Sequence, residues 1–297
     1  MSTTNFTRGG TKTKIFEELL CSPSLIMGGL QSASVSFAAV NIFLAVTAFL
    51  GNSLILVALH KESSLHPPSK LLYRCLATTD LLVGLVAQPL HVTHWMSVVH
   101  EHWSLCHYAR EATYFTSVAL CGVYLLTMAV ISVDRLLALL LGLRYKEIVT
   151  LKRIYIIIVS FWVFRITALY TRILIPLSLL ISLASYTKIF CTLRHHQAQI
   201  QQQPSQPSAL NMARYRKAVH SALWVQSALV VCYTPYYIVD IVVTYSTTYS
   251  SHLVVVLEIV TILVYFNSTL NPFLYCWKIS EMREGMKQTI RQALCCP

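Results

Sequence analysis

Asn267-Ser268-Thr269-Leu270-Asn271-Pro272-Phe273-Leu274-Tyr275 is the stretch on which the reading of this chain turns. It lies near the end of an apolar run from about His252 to Trp277. Asn267, Ser268, Thr269 and Asn271 carry amide or hydroxyl groups, and a proline follows directly. Lipid offers such groups no hydrogen-bond partners, so they must face protein or trapped water. The proline removes one backbone bond and bends a helix unless neighbours repair it. A polar, bent end to a membrane helix has the chemistry of a moving part.

The rest of the composition supports a membrane setting. Of 297 residues, 55% are hydrophobic and 12% charged, with mean hydropathy +0.58. Soluble domains carry roughly 25% charge. The apolar residues fall in long runs, and a run of about 20 spans a bilayer as a helix. The expectation is an all-α membrane protein, a seven-transmembrane helix bundle followed by a C-terminal amphipathic helix. The net charge of +11 does not point to nucleic acid, because basic residues gather on one side of a membrane. The nine cysteines form no C-x-x-C pairs and no metal framework.

In chain order, residues 1–35 read as an outer tail without a cleavable leader, and Asn5-Phe6-Thr7 is a glycosylation sequon. Residues 36–277 read as the bundle. Its first span holds Gly51-Asn52, and its second holds Asp80, a carboxylate too expensive at that depth to lack a role. Pro89 is expected to kink the second span, and Asp134-Arg135 closes the third. Residues 153–192 read as shortened fourth and fifth helices, breaking near Arg165–Arg172. Residues 195–212 read as a flexible inner linker, and the sixth span carries Pro235. Residues 278–297 read as a cytoplasmic amphipathic helix and tail, with Cys295 and Cys296 as lipidation candidates. With the N-terminus outside, 17 of the 23 Lys and Arg fall on inner segments.

Gly51-Asn52, Leu76-Ala77-x-x-Asp80, Asp134-Arg135, Trp162, Cys232-x-x-Pro235 and Asn271-Pro272-x-x-Tyr275 occur in that order. Together they resemble the rhodopsin-like (class A) G-protein-coupled receptors, over about residues 36–294. The resemblance implies a plasma-membrane receptor that is no enzyme. An extracellular small molecule or peptide would bias a helix rearrangement, and a heterotrimeric G protein would read it. Asp134 would hold Arg135 at rest, and Asn271, Pro272 and Tyr275 would rearrange with it. Tyr186 matches the fifth-helix tyrosine loosely, ten residues after Pro176 where eight is usual. Asn52, Asp80, Asn267, Ser268 and Asn271 would form one polar network, in many relatives a sodium site. Here Tyr124 replaces the small hydroxyl that often completes that site, which argues against sodium.

Other departures bear on the ligand. Leu136 follows Asp134-Arg135 where tyrosine is usual, and Tyr233 replaces the usual tryptophan before Pro235. The family's disulfide to the second outer loop has no loop cysteine here, which leaves Cys21 as a candidate partner for Cys106. Ser117 stands where amine receptors carry an acid, so a biogenic amine is disfavoured. Candidate pocket residues are Tyr114, Ser117, Tyr233, Tyr236, Tyr237, Asp240, Glu258 and Tyr265. His91, His94, His100, His102 and His107 cluster at outer helix ends. They read as surface histidines, with no metal expected. The alternatives are a truncated, ligand-silent relative and, with less support, a transporter.

Overall fold

The structure, a computed structural model, describes residues 20–23, 30–61, 66–141, 144–163, 168–202, 206–246, 250–278 and 280–294. Helix α1 spans Gln31–Lys61, α2 Pro67–Leu82, and a π turn follows at Val83–Ala87. Helix α3 spans Gln88–Val99, α4 Trp103–Leu141, and the short α5 Tyr145–Ile148. Then come α6 at Leu151–Val163, α7 at Ala168–Gln202 and α8 at Gln206–Tyr245. Helices α9 at Ser251–Lys278 and α10 at Ser280–Leu294 complete the chain. No strand occurs among the described residues.

Polarity is distributed as lipid demands. Ile42 and Phe43 of α1, Leu180 and Leu183 of α7, and Val231 and Ile238 of α8 are exposed. Asn41, Asn52, Asp80, Gln88, Gln226 and Asn271 are buried. Water would penalise such an apolar exterior, whereas hydrocarbon tolerates nothing else. Among the described residues, five helical segments are long and apolar enough to cross a membrane, and Pro176–Thr192 is a shorter apolar helix.

Several boundaries differ from the sequence reading. Of the Arg165–Arg172 segment where the sequence reading put the break, residues 168–172 are helical, so Arg172 lies inside α7, and Arg165 lies outside the described residues. The 195–212 linker is helical up to Gln202 and again from Gln206. Its Gln and Ala residues tolerate a helix, and Pro207 stands in the first turn of α8, where a missing N–H does no harm. Pro89 produces a π turn in place of a simple kink. Its ring cannot accept a carbonyl four residues back, so the ladder loosens, and Gln88 N–H reaches Val83 O instead. Helices α3 and α4 meet in a tight turn where Glu101 adopts φ 57°. His102 N–H closes that turn on Ser97 O at 2.8 Å.

By contact density the chain forms two compact units. The first gathers Met1–Phe49, Leu82–Ser117 and Leu229–Thr269. Its core includes Leu30, Ala38, Trp95, Val98, Val243 and Val254. There a Cβ on Gly84 would come within 2.8 Å of Ala45 O and 3.0 Å of Phe49 N, so the π turn and α1 touch backbone to backbone.

The second unit gathers Leu50–Leu81, Val118–Ala228 and Leu270–Pro297. There a Cβ on Gly51 would stand 2.7 Å from Pro272 Cγ. Pro272 of α9 is thus seated directly against α1. Gly51→Ala is expected to cost about 1–3 kcal/mol by overpacking. The measurement is the thermal unfolding midpoint in detergent, and an unchanged midpoint would show that Pro272 yields freely.

Candidate functional site

In the second unit, α2 presents the fully buried Asp80. Asn271 Nδ2 donates to Asp80 Oδ2 at 2.6 Å and approaches Tyr124 Oη at 3.2 Å. A buried carboxylate needs such donors, since desolvation otherwise disfavours its charge. Asn52 is fully buried in the same unit. Asn267 and Ser268 are buried in the first unit, and the Asn267 amide makes no hydrogen bond among the described residues. Thr269 instead donates to Leu44 O at 3.3 Å.

Asp134 is buried at the far end of α4, and Arg135 Nη2 lies 3.3 Å from its Oδ2. The acid has two further partners. Ser69 donates to Oδ2 at 3.1 Å, and Tyr145 of α5 donates to Oδ1 at 2.5 Å. Arg135 also lies 5.9 Å from the centre of the Tyr73 ring, a cation–π distance. Burial, and then the bond to Asp134, push the Tyr145 phenol up to about 12. Tyr186 is buried in α7, and Pro235 lies within α8. Tyr275 lies in α9, its side chain outside the described residues. Trp224 of α8 and Trp277 of α9 bring their rings to 5.9 Å, joining α8 to α9.

The first unit holds a second polar cluster. Ser117 and Tyr265 share a hydroxyl–hydroxyl bond of 2.8 Å. The His91 ring meets Tyr265 edge-on at 5.5 Å, and His91 Nε2 lies 2.7 Å from Glu258 Oε1. Trp95 Nε1 reaches the same His91 nitrogen at 3.2 Å. An indole N–H only donates, so one tautomer of His91 serves Trp95 and the other donates to Glu258. A single nitrogen cannot do both, so the cluster has two ways to be satisfied.

The pocket proposed from sequence is thus partly assembled. Glu258, Tyr265 and Ser117 belong to this cluster. Tyr114 is 52% exposed against Phe115 and stands outside it. Tyr233 is buried in α8, while Tyr236, Tyr237 and Asp240 are half-buried there. His91 and His94 are buried, at 8% and 4% exposure, contrary to the surface reading. A signal for the pair existed: Glu258 sits seven residues into α9 and His91 eight before the end of α3. An intramembrane acid calls for a partner at matching depth. Tyr145, Ser69 and Tyr73 were missed as well, and no spacing rule marks them.

Helix α9 contributes to both clusters, through Glu258 and Tyr265 to one and Asn271 to the other. Comparison with known proteins accords with that arrangement. The family profile described as 7 transmembrane receptor (rhodopsin family) matches residues 51–176 and 165–275. This chain belongs to the rhodopsin family of seven-transmembrane receptors. Among similar proteins is the human adenosine receptor A2a, 24% identical over 85% of this chain and 71% of its own. Human melanocortin receptor 5 is 26% identical over 87% and 84%. The histamine H2 receptor of Cavia porcellus is 25% identical over 88% and 80%. The protein is a G-protein-coupled receptor of multi-pass membrane topology and not an enzyme.

In this receptor a disulfide joins Cys21 to Cys106 at the start of α4, with Cα atoms 5.8 Å apart. Asn5, Cys295 and Cys296 lie outside the described residues.

Two predictions follow from these clusters. His91→Ala is expected to cost about 3 kcal/mol or more by stranding Glu258, with part recovered in the double variant His91→Ala/Glu258→Ala. Thermal unfolding of the four proteins measures the coupling, and additive losses would refute it. The folded chain also holds the Tyr145 proton more tightly than an unfolded chain, whose tyrosines ionise near ~10. That contribution is full below about pH 10 and fades as pH climbs through about 12. Tyr145→Phe should flatten this alkaline loss in a plot of unfolding midpoint against pH.

Proposed function

We propose that this receptor sits in the plasma membrane with its N-terminus outside and binds a small molecule or peptide tip at the Ser117–Tyr265–His91–Glu258 cluster. Binding biases the helices, and a heterotrimeric G protein reads the change at Arg135. The excess of Lys and Arg on the segments joined to Arg135 supports that orientation. The bilayer itself is a partner, and α10 is placed to lie on it. Gly285 of α10 approaches Ala58 of α1, while Arg283 and Lys287 are exposed.

The observation that carries the reading is the set of donors around Asp134. Asp134 keeps two other donors, so the arginine can leave without stranding a bare buried charge. A ligand that prefers one arrangement of the upper cluster shifts the population by its differential affinity. The ligand's chemistry is left open by family membership, since similar receptors are named for adenosine, melanocortin and histamine. Ser117 in place of an acid argues against a biogenic amine. Asn5 would carry a glycan outside, and Cys295 and Cys296 lipid inside.

A ligand-silent relative is the second reading. It is favoured by residues 165–176, which both halves of the family profile claim.

Purified receptor in vesicles, mixed with G proteins of each class, separates the two. Basal nucleotide exchange above that of an Arg135→Ala variant is the expected result. Exchange equal to Arg135→Ala in every class would favour the silent reading. Epitope tags at the two ends should label from opposite faces, and labelling from one face would overturn the topology.

A further inference from the structure

Three buried side chains of the first unit are not used by the receptor reading beyond a staple. Cys21, His94 and Cys106 are all at least nine-tenths buried. Their ligand atoms lie within 4.8 Å of one another. His94 Nδ1 stands 3.4 Å from Cys106 Sγ. With the disulfide formed, that sulfur has no proton to give and offers the ring at most a weak acceptor.

The same three atoms suit a metal. Zinc bonds thiolate sulfur at about 2.3 Å and imidazole nitrogen at about 2.0 Å, which sets sulfur and nitrogen roughly 3.5 Å apart in a tetrahedral site. The observed separation of 3.4 Å is already there. Only the two sulfurs must part, to about 3.8 Å by the same geometry. Leu20 O, 3.9 Å from Cys106 Sγ, is the nearest backbone oxygen for a fourth position, which water could also fill. Two thiolates neutralise the divalent charge. A neutral site fits a wall of Leu20, Leu30, Val98 and Val254, where a net charge would not.

We infer that the thiol form of this chain binds one zinc ion through Cys21 Sγ, Cys106 Sγ and His94 Nδ1, at the place the disulfide later occupies. Binding releases the two thiol protons. Oxidation by an external disulfide then forms the Cys21–Cys106 bond, passes two electrons to that disulfide as two thiols, and frees the zinc. Zinc and disulfide are thus alternative staples for the top of α4. The inference does not depend on what ligand the receptor takes.

The test uses full-length receptor in detergent, oxidised or treated with a phosphine reductant, then exposed to zinc and desalted. Metal is counted by mass spectrometry, and cobalt(II) replaces zinc as an optical probe. The reduced Cys21→Ser/Cys106→Ser variant is the blank for the other seven cysteines. The reduced receptor should retain one equivalent more than the blank, and the oxidised receptor none. Cobalt should show a thiolate charge-transfer band. His94→Gln should weaken retention about tenfold or more, while its oxidised form keeps the wild-type unfolding midpoint. Retention no greater than the blank would overturn the inference, whatever the fold of the reduced chain. So would full retention by His94→Gln, which would place the metal elsewhere.

Discussion

A carboxylate buried inside a lipid-facing bundle has no solvent to fall back on, and that constraint shapes the second unit around Asp80. Its Oδ2 is met at 2.6 Å by Asn271. Asn271 directly precedes Pro272, and for Pro272 to sit where it does, α1 must carry no side chain at position 51. One hydrogen bond therefore links the composition of two distant segments. Removing the amide would take one donor from a buried carboxylate.

Much of this was legible because the expensive residues in a membrane are few. Asp80, Asn271 and Arg135 stand out against apolar runs, and their order along the chain resembled a known family. The fold class followed from run length alone. What resisted reading were pairings across the fold. Glu258 was seen, but its partner His91 was placed on the surface, because a histidine near a helix end carries no mark of burial. Tyr145 looked like a loop residue, yet it donates to Asp134. The π turn was invisible because a proline announces distortion without its form. The helix through 195–202 was misjudged because low periodicity was taken as low helicity, although a helix can form without an apolar stripe.

The middle of the chain departs furthest from its relatives. Both halves of the family profile claim residues 165–176, and no cysteine occurs between Cys121 and Cys191. The family's usual anchor for the top of the third transmembrane helix is correspondingly absent. Cys106 is instead joined to Cys21, a separation of 85 residues along the chain. The same mechanical need, to hold that helix end in place, is met from the N-terminal side.

The neighbours of Asp134 carry one more implication. Ser69 and Tyr145 are neutral donors that hold the acid beside the guanidinium. They act as a standing counterweight, so releasing Arg135 breaks an ion pair without leaving the acid bare. A chain tuned in this way should idle close to its threshold, with small pushes from either membrane face enough to tip it.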